Sequence, residues 1–236
     1  MQRYYEKYWE DETILSTSPY LNWKNKIIKS LNLGGNSFLD VGCGDGILMQ
    51  NLSKKFKLYG VDISDYALKK ALERGFCSTQ VVDLNNFEDL PYDDNFFDNI
   101  SCLDVLEHIL EPEVIVKEIY RVLKDDGTFI VCVPNILNIY NRIKFLFGEF
   151  VDALDVAHTK NELFSEHIRM FSKKKLEILL QKAGFTIEKR YSFFTAKFTN
   201  SDSKALRIIG FFYSLFNLKN IKPSLFSFGF TYVCKK

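Results

Sequence analysis

From Ser37 onward the chain alternates short apolar runs with stretches of helical periodicity, and no other feature restricts its fold as strongly. A strand that returns to its sheet in the same direction needs a helix-length crossover, so this alternation predicts a parallel sheet built from βαβ units. Ser37 to Val41 reads as the first strand, and Ile47, Leu48 and Leu52 suit a helix packed on it. Leu58 to Val61 is a second strand ending at Asp62. Ser64 or Asp65 caps the next helix, whose inward face is Ala67, Leu68, Ala71 and Leu72 and whose stop is Gly75. Thr79 to Val82 and Phe97 to Cys102 supply strands three and four, separated by an acidic turn from Pro91 to Asn95. Glu111-Pro112 opens a helix with Ile115, Ile119, Val122 and Leu123 on one face. Asp126-Gly127 then turns the chain into a fifth strand, Thr128 to Val133, which Pro134 stops.

Beyond Asn135 the alternation lapses until Phe171, and insertions of that length commonly serve as lids or substrate loops. A helix begins near Ser172, repeats Leu176, Leu179, Leu180 and Ala183, and ends at Gly184. Thr186 to Phe194 and Leu225 to Cys234 read as late strands bracketing an apolar helix. Tyr20 to Leu31 is a helix ahead of the sheet, preceded by Tyr4, Tyr5, Tyr8 and Trp9.

Charge and cysteine use narrow the function. With 31 basic against 30 acidic residues the formal charge is +1, so no broad field draws in nucleic acid. The five cysteines (Cys43, Cys77, Cys102, Cys132, Cys234) stand singly, without the spacing of a zinc site or a disulfide framework, and fit a reducing cytoplasm. The N-terminus is charged and aromatic where a signal peptide would be apolar. The longest uncharged apolar run, eleven residues between Arg207 and Lys219, falls short of the ~20 that span a bilayer, so no stable membrane insertion is expected.

The chemistry concentrates in Asp40-Val41-Gly42-Cys43-Gly44-Asp45-Gly46, between a strand and a helical pattern. Three glycines allow a tight turn and a close approach of backbone to ligand. A dinucleotide fingerprint needs GxGxxG, and here Ile47 stands where its third glycine belongs. The carboxylates of Asp40 and Asp45 repel a pyrophosphate and suit a ligand carrying an ammonium and a sulfonium. Asp62 and Asp83 fall at the ends of the next two strands, where open parallel sheets bind ligands. Asp62 is placed for the two hydroxyls of a ribose. Asp83 is placed for an exocyclic adenine amine, with the Leu84 amide for a ring nitrogen; a helix cap or solvated turn is the plainer reading of any one of these acids.

On FLDVGCGDG, GVDIS, VVDLNNFEDLPYDDNFFDNISCLDVLEHI, EPEVIVKEIYRVLKDDGTFIVCVPN and EHIRMFSKKKLEILLQKAGF, the sequence resembles the class I S-adenosylmethionine-dependent methyltransferases from about Phe38 to Gly184. The resemblance implies a Rossmann-like α/β fold with a seven-stranded, mostly parallel sheet, helices on both faces and an antiparallel last strand. It implies S-adenosyl-L-methionine as cofactor and S-adenosyl-L-homocysteine as product. It assigns the methionyl part to Asp40, Gly42, Cys43, Gly44 and Gly46, the ribose to Asp62 with Ile63 beside it, and the adenine to Asp83 and Leu84. The backbone at Cys102 or Leu103 is expected to face the methionyl amine. The chain then reads as one domain over 1–236: a helical cap (1–33), a cofactor-binding half (34–134), a substrate lid (135–171) and a C-terminal helix with strands (172–236). A narrower likeness, carried by VPN, Arg142 followed by FLFG, and HIRMFS, is to surface-polysaccharide-locus methyltransferases and the methionine-biosynthesis protein W group.

Methyl transfer from a sulfonium is an in-line displacement, so alignment and exclusion of water matter most and a base is helpful without being required. His108 in LDVLEHI lies where the methyl should emerge and is the first candidate base or acceptor-orienting group, fixing the following helix being its other reading. His167 is the second, reaching the same mouth from the lid or standing in a surface loop. His158 is not assigned. Glu107 beside His108 has no second carboxylate at a recognisable spacing, and no metal is expected. Arg142, Lys144 and Arg169 suit an anionic acceptor or a solvated surface. The aromatic cluster at the N-terminus suits a sulfonium or simple packing. The leading expectation is transfer to a hydroxyl oxygen of a small polar acceptor, sugar-linked, nucleotide-linked or phosphate-containing. The alternatives are a regulatory partner of this fold, a methyltransferase for a lipid or quinone, and a dehydrogenase. The oligomeric state is left open.

Overall fold

A computed structural model describes residues 2, 5, 6, 9, 19–86, 89–148, 167–193 and 223–236. Its strands are β1 (Ser37–Val41), β2 (Lys57–Asp62), β3 (Phe76–Val81), β4 (Phe97–Leu103), β5 (Leu123–Pro134), β6 (Thr186–Phe193) and β7 (Gly229–Lys235). Its helices are α1 (Pro19–Ser30), α2 (Asp65–Glu73), α3 (Pro112–Val122), α4 (Ile139–Leu146), α5 (Lys173–Lys182) and the short α6 (Pro223–Phe226), with 3-10 turns at Gln50–Leu52 and Leu106–His108.

The strands form one sheet in the order β3-β2-β1-β4-β5-β7-β6. β1 to β5 pair in parallel, and β7 runs antiparallel between β5 and β6. Alternate residues of each strand face opposite sides. Leu39, Val41, Ile100, Phe129 and Val131 therefore join one apolar layer with Ile115, Ile119, Leu176 and Leu180, while Phe38, Leu58 and Ile130 join another with Ile28, Met49, Phe56 and Leu68. Coverage on both faces explains why β5 is continuously apolar over Phe129–Val133. The chain works outward from β1 to β3, then crosses back to place β4 on the other side of β1. That reversal leaves a crevice beyond the carboxyl ends of β1 and β4, the place where such sheets bind ligands.

Local signals hold where they act locally. Ser64 caps α2, its hydroxyl accepting from the Ala67 amide, and Pro112 opens α3. Ser172 caps α5 in the same manner, and Gly75 and Gly184 end helices at positive φ.

Four expectations are corrected. The residues after β1 do not form an α-helix: Gly46 takes φ +76°, and the chain winds through short turns and one 3-10 turn that drop Met49 into the core. Leu72 is 45% exposed, since Ala67, Leu68 and Ala71 already fill the face of α2 against the sheet. β3 begins at Phe76, three residues early. The last strand begins at Gly229 because Pro223–Phe226 is helical. The expected lid holds α4, an isolated bridge joins its two ends from Asn135 to Phe171, and the buried Asn135 amide donates to the Ser227 carbonyl. His158, the 154–164 stretch, Glu166, Tyr4, Tyr8 and the apolar run between Arg207 and Lys219 lie outside the described residues. No described helix is long and apolar enough to cross a membrane.

Candidate active site

A cleft of about 370 Å³ opens at the crevice beside β1. Gly42, Asp62, Ile63, Asp83, Leu84, Leu103, His108 and His167, all expected site residues, line it. Asp40, Cys43, Gly44, Gly46 and Cys102 do not. The first four lie in or just before the glycine turn, and Cys102 lies within β4 beside it.

Asp40, at the end of β1, is buried and its Oδ1 accepts from the Ser101 hydroxyl at 2.5 Å. Burial pushes its pKa up to about 7, against the Ser101 hydrogen bond and the Lys24 charge. Asp45 is spent on Arg74, with Nη1 to Oδ2 at 2.5 Å, so its charge is not offered to a ligand. Cys43 is buried, and burial raises its thiol well above the usual range. Cys102 is interior to β4, hydrogen-bonded into the sheet beside Val41 and Val131, which leaves Leu103 as the residue that reaches the cleft.

The glycine turn earns its composition at two points. Gly42 has φ +71°, and a Cβ there would meet Val105 at 2.4 Å. Gly44 has φ +52°, and a Cβ there would meet the Trp9 ring at 2.2 Å. Trp9 and Tyr5, the described members of the N-terminal aromatic cluster, both line the cleft. Glu6 fastens that segment to the start of α2, accepting from the Ser64 hydroxyl at 2.8 Å and from the Asp65 and Tyr66 amides at 2.9 and 3.1 Å. Burial works the other way, but these bonds hold the Glu6 carboxyl below its usual range, and a carboxylate at a helix N-terminus is favoured.

Asp62 ends β2 with Oδ2 accepting from the Gly44 amide at 2.9 Å and Oδ1 from the Ser64 amide at 3.0 Å. Each oxygen keeps a second lone pair. Burial raises its pKa, opposed by those amides. Asp83 makes an Asx turn, Oδ1 accepting from the Asn85 amide at 3.0 Å.

Opposite, β4 runs into Asp104, whose φ is +58°, and into the Leu106–His108 turn. Lys24 of α1 is buried and ion-paired with Asp104. Asn85 clamps the far side of the turn, its Nδ2 donating to the His108 carbonyl at 3.0 Å and its Oδ1 accepting from the Leu110 amide at 2.7 Å. The Arg169 amide donates to the Glu107 carbonyl at 3.0 Å, and its Nε to the Ile109 carbonyl at 2.8 Å, which carries His167 over the turn. The His108 and His167 rings stand 4.9 Å apart at 60°. The Glu107 side chain is fully buried beneath them, and burial, then the Asp104 charge, raise its pKa well above the usual carboxylate range. The guanidinium of Arg142, another residue considered for an anionic acceptor, also spends Nε on a backbone carbonyl, that of Leu137.

Lys24, Asn85, Asp104 and Val105 shape the site without having been singled out. Lys24 and Val105 carry no local signal. The turn chemistry of Asp83-Leu84-Asn85 and the acid after β4 were legible as turns, but their partners were not.

The cleft suits an adenosyl donor. Asp62 offers acceptors for two hydroxyls, Asp83 and Leu84 stand at the next strand end, and Trp9 and Tyr5 present electron-rich faces. A methyltransferase domain model matches residues 1–190. The chain is 26% identical over 203 residues to demethylmenaquinone methyltransferase of Oceanobacillus iheyensis (77% of this chain, 83% of that one). It is 32% identical over 151 residues to mitochondrial arginine-hydroxylase NDUFAF5 of Mus musculus (62% and 41%). It is 31% identical over 109 residues to ubiquinone biosynthesis O-methyltransferase of Xanthomonas oryzae (44% and 46%). Matches to the last two therefore span less than half of those proteins. A solved S-adenosylmethionine-dependent methyltransferase of Thermotoga maritima, described as a possible histamine N-methyltransferase, superposes with a TM-score of 0.62 at 20% identity over 92% of this chain and 89% of that one, which speaks for the fold. With that domain match over most of its length, this sheet order and this cleft, the chain belongs to the class I S-adenosylmethionine-dependent methyltransferases.

Proposed function

We propose that the chain methylates a hydroxyl oxygen of a small acceptor, with His108 and His167 receiving that hydroxyl. When bound, S-adenosylmethionine supplies a methyl group on a sulfonium sulfur, which keeps the electron pair of the broken bond. The observation that carries the reading is the imidazole pair at the cleft, 4.9 Å between ring centroids, brought together from positions 59 residues apart in the chain. Gly42, Asp62, Asp83, Leu84 and Leu103 hold the donor. Tyr5 and Trp9 exclude water above it, and the two histidines orient the acceptor oxygen in line and take up its proton. The O-methyltransferase among the relatives supports oxygen as the target. The polar acceptor we propose first is a sugar-linked, nucleotide-linked or phosphate-containing intermediate of surface-glycan assembly, handled in the cytoplasm.

One observation favours a second reading. Ile168 and Met170 follow His167 and are exposed, as are Phe145, Leu146 and Phe147 on and after α4. Two relatives are quinone-pathway methyltransferases by name. An acceptor with an apolar tail, such as a quinol, would use such a surface. Radiolabelled methyl transfer to nucleotide sugars and to demethylated quinols in detergent separates the two. Transfer to nitrogen or carbon in every productive case would overturn the hydroxyl assignment.

A further inference from the structure

We propose that Glu107, His108 and His167 form a binding site for a divalent first-row transition ion on the acceptor side of the cleft. Glu107 is fully buried, and neither of its carboxylate oxygens has a hydrogen-bond partner among the described residues. A buried carboxylate normally has a charged or hydrogen-bonding partner, because leaving it unpaired is costly. Imidazoles face it, His167 Nε2 at 3.8 Å and His108 Nε2 at 4.0 Å from Oε1, too far for hydrogen bonds, and the charges of Asp104 and Lys24 also act on it, with opposite sign. One donor atom from each of the three residues lies within 4.8 Å of the other two. An ion about 2.1 Å from each donor would hold them roughly 3 to 3.4 Å apart, so the carboxylate–imidazole pairs have to draw in by up to ~1 Å and the widest spacing by roughly 1.5 Å. His167 has the freedom to do so, its side chain being 37% exposed, whereas Glu107 and His108 are fixed by the 3-10 turn.

Two imidazoles and one carboxylate favour ions such as Zn²⁺, Co²⁺ or Mn²⁺ over the all-oxygen ions Mg²⁺ and Ca²⁺. Three protein ligands leave open positions. His108 and His167 both line the cleft, so those positions face it. The backbone bonds already described supply the supporting shell: Asn85 holds the His108 carbonyl, and Arg169 ties the His167 segment to the Glu107 carbonyl. The absence of a second carboxylate in the local sequence argued against a metal. The missing ligand comes instead from the distant His167.

The site deepens the hydroxyl-methylation reading and rests on it for its purpose. An acceptor hydroxyl that coordinates the ion loses its proton to solvent water at neutral pH, and the resulting oxygen nucleophile forms its bond to the methyl carbon as the carbon–sulfur bond breaks. The histidines then hold the ion, and the ion takes over their proton-handling role.

The test uses the tag-free full chain, freed of metal with a chelator and titrated with Co²⁺ alone. We expect one saturating equivalent with visible absorption bands characteristic of nitrogen ligation. His167→Ala and Glu107→Gln should each weaken Co²⁺ binding at least tenfold. Circular dichroism checks the fold of both, and His167→Ala, altering the more exposed residue, keeps the test decisive if Glu107→Gln misfolds. No saturable binding would overturn the proposal. So would binding that survives His167→Ala but disappears with Cys77→Ser, the exposed thiol. Because no acceptor is present, failure here leaves the methylation reading standing, whereas Co²⁺ binding without any hydroxyl methylation would sink that reading alone.

Discussion

Asn85 reaches across the cleft to His108, its side-chain amide donating to the His108 carbonyl at 3.0 Å while its oxygen accepts from the Leu110 amide at 2.7 Å. One side chain thus couples the strand end proposed to hold the donor's adenine to the turn proposed to face the acceptor. Asn85→Ala removes both bonds and strands two backbone groups, at a cost of about 2 kcal/mol. We expect a lower Tm and a fall in kcat of roughly tenfold, with KM for the acceptor little changed, because the imidazole is displaced more than the acceptor's binding surface. Asn85→Asp retains the acceptor for Leu110 and should recover part of the loss. Steady-state kinetics decide it: a drop confined to KM would show that Asn85 does not position His108.

Asp62 holds the glycine turn by accepting from the Gly44 amide and has lone pairs to spare for a ribose. Asp62→Ala should weaken binding of S-adenosylhomocysteine more than tenfold, about 1.4 kcal/mol or more. Calorimetric titration returning an unchanged Kd would remove Asp62 from the donor site.

The space that a Cβ at Gly44 would need is occupied by the Trp9 ring. Gly44→Ala should therefore expel the ring and weaken donor binding, beyond the ~1 kcal/mol that the positive φ itself costs an alanine. Combining it with Trp9→Ala frees that space, so the double variant should bind better than the sum of the two single losses predicts. Strict additivity in the four Kd values would mean that ring and turn do not couple.

What could be read from the sequence was what local chemistry decides. Apolar runs that reach Asp40 and Asp62 mark the carboxyl ends of β1 and β2, because a parallel strand buried on both faces tends to carry polar residues where it leaves the sheet. Ser64, Ser172, Gly75 and Gly184 announce helix ends through capping and positive φ. The failures come from tertiary context. Ile47, Leu48 and Leu52 have helical spacing, yet Gly46 at positive φ and the pull of Met49 into the core favour tight turns. Lys24 looks like any surface lysine in an amphipathic helix, and only the fold buries it against Asp104. His167 and His108 were each legible as candidates. Their meeting over Glu107 was not, since it depends on one backbone bond from Arg169 across the intervening segment.

Two carboxylates should give stability opposite slopes with pH. Asp98 lies at the start of β4, where the Lys124 ammonium at 2.8 Å and the Asn36 and Ser37 amides, working against partial burial, hold it well below the usual range. A depressed folded-state pKa contributes stability that is present above about pH 4 and lost as pH falls through it. Asp40 is the reverse. Burial raises it to about 7, so between roughly pH 4 and 7 the native chain keeps a proton that the unfolded chain releases, and its contribution declines as pH rises through that window. Asp40→Asn removes this penalty, so the difference in urea-unfolding stability between variant and parent should shift in the variant's favour from pH 4 to 7, by up to ~4 kcal/mol, and stay level above 7. Asp98→Asn should instead lose ground relative to the parent as pH rises from 2 to 5. Difference curves that stay flat across both windows would show that neither carboxylate is held away from its ordinary titration in the folded chain.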